Sequence, residues 1–416
     1  MALILLLACT PEVDLDAWEA TEPPFVTYDD SKLPRVDLPE DLDDLALPLE
    51  QIGEDSGEYG IVYSGALAGY YILRAQNVGY GEPFGYNWDP VAGEWKTGEE
   101  SLARQIMATI TLVRLYGFTG RDEFAYGAGR AFEVIVEELE EQEDGTLRLY
   151  SIGSTALGIM ALTEYAELTG STEYDEVIDG LAAHVASKYN DDGSWDEGAR
   201  LQWQQLHKTL WNLYTHTGDE VWLDMLETTG RWQYDNLDSG SEVGEEMWEY
   251  PYLWGLWAAE PMTELYFERP NDWIAELVFF VGDDVVEKQW TPLTTENENW
   301  VGGYHANPPN EDGAPNWNNT LKLEAVADCY RLAEHLGDEE RAWRYRRSAL
   351  AGTEHLLRWQ FRQGDTADFD DPDFPIGGMK MYVDNPNVRV DIPAHGTLAI
   401  TKVAQYLELE DYPGRD

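Results

Sequence analysis

The sequence predicts an all-α fold, a single (α/α)6 toroid of about six helical hairpins. Three observations carry that expectation. A helix stop-and-restart signal recurs along the chain at a nearly constant interval. The connectors between helices alternate between short and long. The first and last apolar helical runs are left to partner each other across the chain ends.

The clearest stop-and-restart is Leu112–Phe124, L-V-R-L-Y-G-F-T-G-R-D-E-F. An apolar run at helical spacing ends at Leu115 and Tyr116, the chain turns through Thr119-Gly120, and acidic residues follow. Glycine takes the left-handed conformation past a helix end without steric cost, and Asp and Glu suit the first turn of the next helix. The signal returns as Tyr165–Tyr174 around Thr169-Gly170 and as Leu213–Trp222 around Thr217-Gly218. It recurs in degenerate form as Leu265–Trp273 around Pro270, and again as Leu332–Asp338 around Gly337. Gly120, Gly170 and Gly218 lie 50 and 48 residues apart, Asn271 follows 53 later, and Gly337 another 66 on. Two helices of about 18 residues with their connectors fill such a period. The expected helices include Tyr59–Gln76, with Gly65 and Gly69 allowing close approach, then Ser101–Tyr116, Asp122–Glu141 and Ala394–Leu409. Ring closure is favoured over an open solenoid because no capping repeat is evident.

The Thr-Gly hinges are tight and chemically plain, whereas the other connectors are long, aromatic and polar: 77–100, 143–150, 190–200, 236–249, 290–317 and 362–390. Hairpin alternation places the long ones on one rim and the short ones on the other. Long loops on a rigid scaffold are where function concentrates, so the long-loop rim is the expected active face.

Charge narrows the partners. Eighty acidic against 27 basic residues give a net −53, a field that repels nucleic acid and anionic membranes. A solvated acidic surface accounts for it without a cation-dependent function. The two cysteines, Cys9 and Cys329, do not form a disulfide framework. The Pro-, Asp- and Glu-rich stretch 10–57 reads as a tether or extended wrap, and the toroid domain as 58–416. No Walker loop, nucleophile elbow or H-E-x-x-H occurs, and Gly79-Tyr80-Gly81 lacks the strand and helix of a dinucleotide fingerprint. Asp365, Asp368, Asp370, Asp371 and Asp373 suit a solvated loop better than a calcium site, and Asn318-Asn319-Thr320 is a glycosylation sequon in form only. No metal or cofactor is expected, and the protein is expected to be a monomer.

Two resemblances add to this. Met1–Ala8 is an apolar run, and Leu6-Leu7-Ala8-Cys9 resembles the bacterial lipobox, although no basic n-region precedes it. That resemblance implies residues 1–9 as a signal ending at a lipidated Cys9, with export and anchoring at the bacterial cell envelope, periplasmic or on the outer surface. The run is too short to span a bilayer, which takes about 20 apolar residues. The hinge repeats, the Asp192-Gly193-Ser194-Trp195 turn and the ring closure resemble the six-hairpin glycosidase-like superfamily over roughly 58–410. The segment Asn387–His395 is similar to the start of the last helix in bacterial toroid proteins related to glucuronyl C5-epimerase. These motifs are structural, so the resemblance implies carbohydrate handling without naming a reaction.

The rim loops hold Tyr80, Phe84, Tyr86, Trp88, Trp95, Trp195, Trp203, Trp248, Tyr250, Tyr252, Trp300, Tyr304 and Trp317. Aromatic faces stack on sugar rings, though half or more of these are expected simply to pack the loops. Starts of inner helices point into the bowl and supply Arg104, Trp203, Gln204, Glu246, Glu249, Asn318, Asn319, Glu324, Arg389, Asp391 and His395. Glycoside hydrolysis needs two carboxylates flanking a bond. Glu249 sits among aromatics that suit an acid and Asp391 beside Arg389 suits a base or nucleophile, so they form the candidate pair, against the fact that 80 acidic residues make any carboxylate cheap. His395 lies one turn after Asp391 if Pro393 sits in the first turn, and a carboxylate-oriented histidine is a general base for epimerisation. A capping aspartate and a core histidine are the plainer reading. Arg104 and Arg389 are candidates to hold a uronate carboxylate in bidentate fashion, although a chain at −53 repels polyanions unless they reverse the field locally.

The expected substrate-binding set is therefore Arg104, Tyr86, Trp88, Trp203, Trp248, Tyr252, Asn319 and Arg389, around catalytic Glu249, Asp391 and His395. The expected function is glycoside hydrolysis or sugar (uronate) epimerisation on an oligo- or polysaccharide. The alternative is a non-catalytic surface lipoprotein that binds a glycan or peptide.

Overall fold

The computed structural model describes residues 61–76, 83–96, 101–197, 200–236, 251–306, 313–362, 364–382 and 385–407, and within them no side chains for 61–63, 200–201 and 251–256. Cys9 with the lipobox, the 10–57 stretch, Tyr80, Glu246, Trp248, Glu249 and Tyr250 lie outside the described residues, as does the side chain of Tyr252. No helix among the described residues is long and apolar enough to cross a membrane.

Twelve helices are described. Six line the axis: α2 (Leu102–Thr119), α4 (Ile152–Thr169), α6 (Arg200–Thr217), α8 (Pro251–Glu268), α10 (Asn318–Leu336) and α12 (Asp391–Tyr406). Six lie outside: α1 (Ile61–Gln76), α3 (Asp122–Glu137), α5 (Asp175–Ser187), α7 (Glu220–Asn236), α9 (Asp272–Glu287) and α11 (Glu339–Trp359). Each inner helix packs on both inner neighbours, and α12 returns to pack on α2, so the ring is closed. The first helix, α1, is the outer partner of the last, α12. Burial follows position. In α11 the buried residues Ala342, Tyr345, Ala349, Thr353 and Leu356 form one stripe at helical spacing. In α2 every residue from Gln105 to Val113 is buried, because neighbours enclose an inner helix on all sides.

The hinges have the expected chemistry. Gly120, Gly170, Gly218 and Gly337 all cap inner helices with φ between 66° and 71°. The threonine before the first three works as well. The Thr119, Thr169 and Thr217 hydroxyls each donate to the carbonyl four residues back at 2.6 Å, and accept from the N–H just past the glycine. Each Thr-Gly pair thus satisfies groups that a helix end leaves orphaned. All inner helices that a hinge ends therefore have their N-termini on the long-loop rim.

Three boundaries differ from expectation. The helix begun near Ser101 runs on to Thr119, Asp122–Glu141 stops at Glu137, and the last helix starts at Asp391 rather than Ala394. In the last case Pro393 sits inside the first turn, where its missing N–H costs nothing. The long connectors also carry short strands: β1 (Asn87–Asp89), β2 (Glu94–Lys96), β3 (Glu140–Glu141), β4 (Leu147–Arg148) and β5 (Val388–Arg389). Strands β2-β1-β5 form an antiparallel sheet in which Asn87 faces Arg389, so the first and last long connectors are stitched together on the long-loop rim.

Deep in the ring, each inner helix contributes one charged side chain to an axial network. Arg114 of α2 pairs with Glu164 of α4 at 2.8 Å and with Glu260 of α8 at 3.6 Å. Lys208 of α6 meets Glu260 at 2.6 Å, and Lys402 of α12 bridges Glu260 at 2.8 Å and Asp328 of α10 at 2.7 Å. Asn212 adds a hydrogen bond to Glu164 at 3.0 Å. Burial works against the Arg114 charge, but Glu164 and Glu260 overcome it and raise its pKa well above the ordinary value. Burial likewise opposes the ionised Glu260, and Lys208, Lys402 and Arg114 more than reverse this, leaving it well below the carboxylate range. Asp328 is the exception, because burial pushes its carboxyl up to about 7 despite Lys402.

Two outcomes test this architecture by urea denaturation. Gly170→Ala meets no atom within 4 Å, so backbone strain alone acts and stability falls by about 1–2 kcal/mol. Arg114→Met takes the paired cation from buried Glu164, leaving it the Asn212 hydrogen bond, and costs more, about 3–5 kcal/mol. Equal stability of either variant and the parent contradicts the role assigned to that residue.

Candidate active site

Above the axial network, the first two turns of α2, α10 and α12 bring two constellations together. The first surrounds Asp391. Because β5 pairs with β1, Arg389 is carried beside Tyr86, and the Val390 N–H donates to the Tyr86 carbonyl at 2.9 Å. Arg389 grips Asp391 with two hydrogen bonds, Nε to Oδ1 at 2.6 Å and an amino nitrogen to Oδ2 at 2.9 Å. Arg104 approaches the same Oδ2 at 3.5 Å and donates to the Tyr86 hydroxyl. The Arg389 guanidinium lies 4.9 Å over the ring of Trp317. Burial opposes the Arg389 charge, and Asp391 outweighs it and raises its pKa. Burial, then Asp391, raises the Tyr86 hydroxyl, so it stays protonated at neutral pH. Two guanidiniums around one carboxylate leave a local surplus of one positive charge. It is carried by Arg104, whose side chain is 39% exposed against 9% for Arg389.

The second constellation is His395 with Glu324. Nδ1 of His395 and Oε1 of Glu324 are 2.9 Å apart, and both side chains are nearly buried. The Trp257 and His395 rings lie 5.9 Å apart, centroid to centroid, at 73° to each other. A histidine held at Nδ1 by a carboxylate has a fixed tautomer and orientation, with Nε2 on the opposite edge of the ring. The orienting carboxylate is Glu324, across the ring on α10. Asp391, expected in that role from its spacing on the same helix, is instead consumed by the two arginines.

That arrangement revises several expectations. Arg389 has its Nε–amino edge on Asp391 and Arg104 leans on the same carboxylate, so the pair is engaged internally rather than forming an open fork for a substrate carboxylate. Asp391 has both oxygens occupied, which disfavours it as a base or nucleophile. Asn319 is buried and structural: its Oδ1 accepts the Tyr304 N–H at 2.5 Å and its Nδ2 donates to the Asn316 carbonyl at 2.7 Å. Trp88 is buried against Trp95 and Phe374, with ring centroids 5.2 and 4.5 Å away, so it packs the rim sheet rather than offering a sugar platform. Tyr86 is buried too and presents its hydroxyl to Arg104. Phe84, Trp195 and Tyr304 are likewise core. Trp203 is half-buried, donates to the Glu197 carbonyl at 3.0 Å and packs on Trp232. Trp317 and Trp257 are half-buried beside the two constellations. Trp257 was not singled out in the sequence, where a tryptophan within a helix reads as core. Among the described residues, no group of three or more His, Cys, Asp or Glu is arranged to hold a metal ion.

No family model matches the chain, and no curated protein matches it. Solved structures do. An α-1,6-mannanase from Salegentibacter sp. HEL1_6, in complex with α-1,6-mannotetrose, superposes with a TM-score of 0.59 at 14% identity, covering 82% of this chain and 99% of that one. A D-mannose isomerase gives 0.59 at 13% identity, covering 83% and 96%. The cellobiose 2-epimerase from Bacillus thermoamylovorans gives 0.56 at 11% identity, covering 80% and 95%. At such identities the likeness shows the fold alone: the chain is an (α/α)6 toroid of the kind these carbohydrate-processing proteins share.

Proposed function

We propose that this toroid is a sugar-modifying enzyme that works by proton transfer, an epimerase or isomerase, with His395 as acid–base catalyst and Glu324 as its partner. The observation that carries the reading is the 2.9 Å bond between His395 and Glu324 at the head of the inner helices. Isomerases and epimerases of sugars remove a proton from the carbon beside a carbonyl and return it elsewhere. Nε2 of His395 takes that proton while Glu324 stabilises the resulting imidazolium. The electrons move onto the carbonyl oxygen to give an enediolate, and the half-exposed Arg104 supplies the nearby positive charge that such an oxyanion needs. Return of the proton by His395 to the neighbouring carbon gives the isomer, whereas the epimer needs a proton delivered to the first carbon from the opposite face by a second donor, a water or another acid. Trp257 and Trp317 are the aromatic faces best placed to stack on the sugar. The mannose isomerase and cellobiose epimerase are compatible with this chemistry, as toroids that act on sugars.

Hydrolysis by two carboxylates is less well supported, because Asp391 is bound by two arginines. The test is a panel of reducing mono- and oligosaccharides in D2O, with deuterium uptake and new reducing ends both measured. The expected result is deuterium uptake without cleavage, reduced by about 10²–10⁴-fold in His395→Gln and clearly reduced in Glu324→Gln. Reducing ends without deuterium point to hydrolysis instead, and binding with neither signal points to a non-catalytic glycan receptor.

A further inference from the structure

On the plain rim, opposite the candidate active site, α9 and the hinge between α10 and α11 border a pocket of about 440 Å³. That is the size of a cavity for a free small molecule. Aromatic surface and unpaired carboxylates meet in its lining. Tyr266 of α8, with Phe279 and Phe280 of α9, supplies the aromatic surface, and Leu336, 40% exposed at the end of α10, adds an aliphatic edge. The carboxylates are Asp272, Glu276 and Asp283 of α9, and Arg341 of α11 is the one cation among the described lining residues.

That cation is already held. Arg341 donates from Nε to Asp283 at 3.1 Å and from an amino nitrogen to Asp338 at 2.8 Å, while Asp283 also accepts from the Tyr345 hydroxyl at 2.8 Å. Asp272 and Glu276 differ. Both are exposed, and among the described residues neither is ion-paired; Glu276 accepts from the Tyr234 hydroxyl. They stand four residues apart on one face of α9, about 6 Å along its axis. Two uncompensated negative charges therefore border the aromatic surface. Helix ends add to them, since α8 and α10 both finish here and their C-termini carry partial negative charge. The start of α9 has the opposite sign, which Asp272 in its first turn offsets.

The protein itself shows what such a surface holds. The Arg341 guanidinium lies 4.6 Å over the Phe279 ring, because ring faces attract cations that shed water easily. A metal ion is a poor fit: it wants several oxygen ligands at once, and no group of three or more His, Cys, Asp or Glu among the described residues is arranged to supply them. A neutral sugar gains nothing from the excess charge. An alkylammonium, positive with an apolar skin, suits both halves of the lining.

We propose that this pocket binds a small alkylammonium cation, its alkyl groups against Phe280 and Tyr266 and its charge balanced by Asp272 and Glu276. The site is separate from the proton-transfer site on the other rim, and its test uses no sugar.

Choline is the probe, and 3,3-dimethylbutan-1-ol, the same shape without the charge, is its control. Both are titrated into the full chain at constant ionic strength and followed in 1H–15N correlation spectra. Choline is expected to shift the amide signals of Ala275, Glu276, Phe280 and Leu336 saturably, and the neutral alcohol to bind about tenfold more weakly. Phe280→Leu, which keeps an apolar side chain, and Asp272→Asn, at an exposed position, should each weaken choline about threefold. Glu173→Gln, which removes an exposed carboxylate at the α4–α5 hinge, should leave its affinity unchanged. Shifts that spread over the acidic surface without saturating overturn the proposal. So do equal binding of the alcohol, a Phe280→Leu or Asp272→Asn protein that binds choline as the parent does, or a Glu173→Gln protein weakened as much as either.

Discussion

Closing six helices into a ring creates one problem that the rest of the structure has to solve, which is what the ring points at its own axis. Here the answer is a set of charges, one from each inner helix: Arg114, Glu164, Lys208, Glu260, Asp328 and Lys402. Each cation is met by a carboxylate of another helix, and Glu260 gathers all three. A network of this kind gives each helix a preferred rotation and height, since a slip of one turn would part several pairs together. Dispersion contacts between interchangeable leucines would not discriminate as sharply.

That constraint also orders the site. Because Lys402 and Asp328 fix α12 against α10, the residues one and two turns nearer the rim, Glu324 and His395, are brought within hydrogen-bond distance. The rim sheet adds a second fixed point. Strand β5 pairs with the hairpin of the first long connector, and this puts Arg389 and Asp391 beside Tyr86 and Arg104. The bowl thus has a rigid floor and a stitched edge, and its two constellations have complementary character. One carries a surplus positive charge near solvent and the other a titratable ring nearly out of it.

Much of the fold was legible from the chain. Each Thr-Gly pair encodes both a left-handed cap and a hydroxyl that closes the helix end, so a local signal reports a global count. The pairing of the first helix with the last followed from that count. The rim strands were not legible, since Val388-Arg389 is too short to show a period of two and its partner lies about 300 residues away. The site divides in the same way. His395 and Asp391 stood out because a histidine is scarce and their spacing is helical, yet the spacing suggested the wrong bond. Glu324 was one inward-facing carboxylate among 80 acidic residues, and only the approach of α10 to α12 distinguishes it. Asn319 and Trp88 misled for a shared reason: polar and aromatic side chains on a rim are needed to hold long loops as well as to bind ligands.

The most direct measurement is a crystal structure with a linear sugar alcohol, a stable mimic of the open-chain substrate, soaked into the bowl. A carbon near one end is expected about 3–3.5 Å from His395 Nε2, the distance of a near-attack geometry, with a terminal hydroxyl towards Arg104. A polyol bound in the bowl with its carbons out of reach of His395, or a His395 bonded to Glu324 through Nε2, would contradict it.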